Sequence, residues 1–142
     1  MDDNGRLLGV DYGEARIGLA ISDPTGLIAS PIDAVKAAGS EDAVNIARIA
    51  TEREARGIVV GLPLSLDGSQ GPAARKVNGF CARLRKTTDL PVFTWDERMT
   101  TVEAHTLLRE AGKSPSRARG AARGKIDSAS AAIILNSYMQ SH

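Results

Sequence analysis

The chain changes its hydrophobic period once, near residue 40, and that change limits its fold more than any other feature. Before it, Arg6–Tyr12 (RLLGVDY) and Arg16–Ser22 (RIGLAIS) read as strands joined through Gly13-Glu14-Ala15, a hairpin-length link containing glycine. Asp23-Pro24-Thr25-Gly26 suits a type I turn, and leads to a third segment from Leu27 to about Lys36, kinked or ended by Pro31. The simplest reading is an antiparallel meander. After residue 40 the period becomes helical. Ser40 can cap a helix over roughly Glu41–Arg56 with Gly57 just beyond it, and Ala43, Ile46, Ala47 and Ala50 form its apolar stripe.

Helices and short strands then alternate. Gly57–Leu62 (GIVVGL) is a continuous apolar run of the kind found in strands covered on both faces. Val77, Phe80, Cys81 and Leu84 recur at helical spacing, and Pro91–Trp95 (PVFTW) is a further strand. Gly79 inside that helical pattern suggests close packing. A capping box, Thr100-Thr101-Val102-Glu103, opens a helix to Ala111. The last helix spans Ile126 to about Met139 and is apolar on nearly every side, so it should be buried. The order β-β-β-α-β-α-β-α-α calls for an α/β fold with a five-stranded mixed sheet: three antiparallel strands, then strands added by helical crossovers, with helices flanking. This is the order of RNase H-like domains. With 142 residues, 1–142 is expected to form one domain.

Composition narrows the setting. The start is acidic and lacks the basic and apolar regions of a secretory signal, and no apolar run reaches bilayer length. One cysteine, Cys81, allows no internal disulfide, so a cytoplasmic location is expected. The net charge of +1 hides an uneven distribution: residues 1–47 hold eight acids against three bases, whereas residues 109–125 carry six Lys and Arg against Glu110 alone. One anion-facing surface fits that pattern better than a uniformly basic coat.

Three acids stand at element ends. Asp11 lies near the end of the first strand, where an ionised carboxylate is costly unless paired, hydrogen-bonded or bound to metal. Glu97 follows the strand Pro91–Trp95 at its carboxyl end, where open α/β sheets place ligands, though an ion pair with Arg98 would explain it as well. Asp127 falls in the first turn of the last helix, where complementing the helix dipole is an equally good reading. With no Cys/His cluster, such carboxylates suit Mg²⁺ or Mn²⁺ rather than zinc. Arg98, Arg117, Arg119, Arg123 and Lys125 are the candidate phosphate contacts, the last four from a basic loop over Gly112–Lys125. His105, within a helix, is read as a surface residue, and Phe93, Trp95 and Cys81 as core.

Four motifs in register join these segments: Val10-Asp11-Tyr12-Gly13 with Arg16-Ile17-Gly18 and Ser22-Asp23; Val60-Gly61-Leu62-Pro63-Leu64 with Asp67-Gly68 and Gly71; Asp96-Glu97-Arg98-Met99-Thr100-Thr101 with Ala104; and Lys125-Ile126-Asp127-Ser128 with Ala131. Together they resemble the YqgF family of pre-16S rRNA nucleases, also described as Holliday-junction-resolvase-like proteins. The resemblance implies an RNase H-like fold with Asp11, Glu97 and Asp127 as its catalytic, metal-binding acids. It also implies a metal-dependent endonuclease that processes the 5′ end of the small-subunit rRNA precursor. A resolvase acting on four-way DNA and a non-catalytic RNA-binding assembly factor are the alternatives. The expected partner is structured RNA, or branched DNA, with no membrane, and the expected state is a monomer or weak homodimer. Met99 stands where leucine is more usual in that family, and Glu14 adds an acid to the first hairpin. The spacing Asp11-x-Gly13-x₄-Gly18 also resembles the phosphate loop of actin-like ATPases, but those need two such domains and this chain has room for one.

Overall fold

A computed structural model describes residues 5–99 and 121–142, with the side chains of residues 121–125 left out. Strands β1 (Arg6–Tyr12), β2 (Arg16–Ser22) and β3 (Ala29–Lys36) form the antiparallel meander; helix α1 (Asp42–Glu52), strand β4 (Ala55–Leu62), helix α2 (Pro72–Thr87), strand β5 (Val92–Asp96) and helix α3 (Ala121–Gln140) follow. The sheet order is β3-β2-β1-β4-β5, with β4 parallel to both β1 and β5. This is the mixed five-stranded α/β sheet expected. The carboxyl ends of β1, β4 and β5 therefore lie together, and the start of β2 joins them because β2 runs the other way.

Strand alternation sorts the side chains onto two faces. Leu8, Val10, Ile17, Leu19, Ile58, Val60 and Val92 pack with the stripes of α1 and α2 (Ile46, Ala50, Val77, Phe80, Cys81, Leu84). Leu7, Ala20, Ala29 and Val59 face the other way and meet Ala131, Ala132, Ile134 and Leu135 of α3. Pro31 interrupts neither β3 nor its pairing with Ala20. It sits on the edge strand of this sheet, where a missing N–H costs no ladder bond. The turn over Asp23–Gly26 forms as expected, closed by the Gly26 N–H to Asp23 O at 3.0 Å.

Several boundaries move. The first helix ends at Glu52, and Gly57 lies inside β4. The chain reverses instead at Glu54, whose φ of +59° is a left-handed conformation uncommon outside glycine and asparagine. Ser40 gives no cap: it lies in a 3-10 turn, and the buried carboxylate of Asp42 accepts the Ala38 N–H at 2.7 Å. Gly79 meets no close neighbour; a Cβ there would touch only the end of Arg83, at 3.6 Å. Phe93 is partly exposed rather than core, stacked at 5.8 Å on Tyr138, whereas Cys81 is fully buried. The final helix begins at Ala121, so the last part of the expected basic loop is helical. Asp127 is the seventh residue of α3, beyond the first turn, where the dipole has little hold on it. The helix expected over Thr100–Ala111, His105, and the stretch of the basic loop with Arg117 and Arg119 lie outside the described residues.

Candidate active site

Asp11 points to the face covered by α3, and its neighbours on that face have no side chains. Gly18 pairs with it across β2, and Gly61 lies on β4 one position beyond the Val10–Val60 pair. Both absences are used. Where Gly18 would carry a Cβ, the backbone of Asp127 lies; where Gly61 would, Ile134 Cδ1 approaches to 2.5 Å and Glu97 Oε2 to 2.9 Å. The glycines on either side of Asp11 thus admit the α3 backbone at Asp127 on one side and the Glu97 carboxylate on the other. The Leu19 N–H donates to Ser128 Oγ at 3.3 Å and pins α3 to β2.

The electrostatics follow from that crowding. Burial is the main force raising the Asp11 acid above its ordinary value; the Asp127 charge adds to it, and a hydrogen bond from Ser130 opposes it. Glu97 is pushed up to about 7, first by burial, then by the charges of Asp11 and Asp96. Asp127 is held differently: Arg16 Nε donates to its Oδ2 at 2.9 Å. Among the described residues, no three His, Cys, Asp or Glu side chains converge closely enough to hold a metal ion, Asp127 being turned toward Arg16. What the fold supplies is two half-buried carboxylates without a cation partner among the described residues, and a third tied to an arginine beside them.

Arg98 does not pair with Glu97. Its guanidinium takes Asp96 at 2.6 Å and donates to Leu66 O at 3.1 Å, bracing the loop after β4 against the end of β5. Arg123 and Lys125 lie in the first turns of α3, with side chains outside the description. Sequence reasoning kept Arg16, Gly18 and Gly61 as motif residues but gave them no place in the site, and it passed over Ser130. The available signal was a glycine facing the same side as Asp11 on each neighbouring strand.

The raised acids have a measurable consequence. An unfolded Glu97 ionises near 4.5, and in the fold it keeps its proton to about pH 7. The folded state therefore holds more protons across that window, and this residue's stabilising effect, full below about 4.5, is lost as pH rises through 7. We expect Glu97→Gln to match wild type at pH 4 and to be more stable at pH 8 by about 1–3 kcal/mol, discounted for partial exposure. Thermal unfolding in chelator checks this, and equal melting temperatures at both pH values would contradict the burial of that charge.

The sheet order places the chain in the RNase H-like fold class. Its structure aligns with a Thermus thermophilus RuvC bound to a Holliday junction substrate at a TM-score of 0.56, 15% identity and 96% coverage of each chain, a likeness of fold alone. A family profile described as RuvX, Holliday junction resolvase, matches residues 5–141. A protein of Nocardioides sp. named "Putative pre-16S rRNA nuclease" is 44% identical over 92% of this chain and 85% of its own, and one of the same name from Halothermothrix orenii is 42% identical over 94% of both. The chain belongs to this RuvX, or YqgF, family of nucleases.

Proposed function

We propose that the chain is an endonuclease dependent on Mg²⁺ or Mn²⁺, hydrolysing phosphodiester bonds near the 5′ end of the small-subunit rRNA precursor. The observation that carries this is the pair Asp11 and Glu97, half-buried without a cation partner among the described residues and reluctant to ionise beside Asp127. A fold tolerates such carboxylates at a cost, and a divalent cation removes that cost. The donor set is all oxygen, which suits Mg²⁺. Asp11 would hold the ion with Glu97, and Asp127 would join by turning from Arg16. When bound, such an ion activates water and offsets charge on the reacting phosphate. Arg16, released from Asp127, stands ready to receive that phosphate. Arg98, Arg117, Arg119, Arg123 and Lys125 remain the proposed backbone contacts, Arg98 at the expense of Asp96.

The choice of RNA rests on the names of the relatives. The family description and the fold neighbour favour a second reading, resolution of four-way DNA. Wild-type protein with Mg²⁺ or Mn²⁺ is expected to cut an rRNA-precursor 5′ leader at a defined position and a four-way junction at least tenfold more slowly. The reverse order selects the resolvase reading; binding without cleavage of either selects the assembly-factor reading. Among the described residues no helix is long and apolar enough to cross a membrane. Buried Cys81 fits the reducing cytoplasm proposed as its location, and a monomer or weak homodimer is the proposed state.

A further inference from the structure

On the opposite side of β1 from the acids, a cleft of about 330 Å³ opens between the β1–β2 turn, Pro63 and the first turns of α2. Tyr12 is the residue after Asp11, so alternation sends its ring to this side while Asp11 faces α3. The ring is fixed, stacked on Phe80 at 4.4 Å with its hydroxyl donating to Asp42 at 3.3 Å. Pro63, Pro72 and Val77 add apolar wall, and Ala73 keeps the space open. Beside them Lys76 Nζ meets Glu14 Oε1 at 3.3 Å, with both side chains largely exposed.

We propose that this cleft binds one unpaired nucleotide of the strand being cut, next to the scissile phosphate. Flat apolar walls with a held aromatic ring accept a base of any sequence. A lysine beside them supplies a point charge for its phosphate. The Lys76–Glu14 pair is an exposed one that contributes little, so phosphate displaces Glu14 readily. Tyr12 and Gly13 follow Asp11 directly at the end of β1, so a strand crossing that end with its phosphate at Asp11 would bring its neighbour here. A base stacked in a duplex cannot enter without leaving the helix, so the enzyme would prefer cuts flanked by single strand. The placement beside a scissile bond rests on the nuclease reading; the binding does not.

The test has two arms. In chelator, adenosine 5′-monophosphate followed by ¹H–¹⁵N NMR on the full chain is expected to shift the Gly13, Glu14, Ala73 and Lys76 amides. Ala73→Phe, which fills the cleft from an exposed position, should abolish those shifts while the remaining spectrum reports an intact fold. Lys76→Gln should weaken binding several-fold and Glu14→Gln strengthen it. No shift at these amides, equal shifts with inorganic phosphate alone, or shifts that survive Ala73→Phe would overturn the site. In the second arm, wild type is expected to cut RNA with an unpaired flank on the order of tenfold faster than its fully paired counterpart, and Ala73→Phe to erase the preference. Cleft binding by a wild type that cuts nothing would sink the nuclease reading and the placement together, leaving a nucleotide site. A preference untouched by Ala73→Phe would sink the placement alone.

Discussion

Asp11→Asn is expected to lower metal-dependent cleavage by about three orders of magnitude and, in the same protein, to raise its metal-free melting temperature. The two effects share one cause. Asparagine keeps the shape of the side chain and can still bond Ser130, but it carries no charge into a site where burial and Asp127 both oppose ionisation. The folded state is relieved, and the cost that a divalent ion would offset is gone along with the ligand. A cation in a phosphodiesterase site contributes several kcal/mol of transition-state stabilisation, and each 1.36 kcal/mol is tenfold in rate, which sets the scale. Pairing a melting curve in chelator with single-turnover cleavage separates this from a merely structural role. An Asp11 that only braced the fold would lose stability on substitution, and retained cleavage would remove it from the site. The stabilised, inactive variant should also keep nucleotide shifts in the cleft, since Tyr12 and Lys76 lie on the other side of β1.

The meander, the crossovers and the acids at strand ends were readable because strand and helix periods differ and unpaired charge in a strand is costly. Asp11 could be singled out on that cost, whereas Glu97 and Asp127 gained weight mainly from the family motifs. The start of α3 was not readable: Gly120 and Gly124 among basic residues look like a loop, yet alanine and arginine are good helix formers. The end of α1 was misplaced because Gly57 looked like the terminator, while Glu54 takes the left-handed position and leaves Gly57 to the strand. Arg98 illustrates a further limit. Its nearest acid in sequence is Glu97, yet the turn after β5 gives it Asp96 instead. Gly9, Gly18 and Gly61 were the deepest omission. On separate strands they look like gaps in packing, and only the register shows that they line one face and make a bed for α3.

That bed is where a single methyl group has its largest expected effect. Gly18→Ala should destabilise the protein by roughly 3 kcal/mol or more, the upper end of overpacking, because the atoms in the way are the Asp127 carbonyl and the Ser128 nitrogen. Backbone within a helix cannot swing aside as a side-chain end can. Relief requires α3 to lift from β2, which breaks the Leu19 N–H bond to Ser128 and pulls Asp127 away from Arg16 and Asp11. Cleavage should fall with stability, and at a temperature where the variant is still folded the deficit should persist, since Asp127 is displaced as well as the fold weakened. Gly79→Ala is the matched control. A Cβ there meets nothing nearer than the Arg83 guanidinium, so it should gain about 0.5–1 kcal/mol from helix propensity alone and leave cleavage untouched. Urea unfolding of both variants against wild type reads the contrast. Equal and small changes would mean that α3 does not sit on Gly18, and with it would go the reason Asp127 stands beside Asp11.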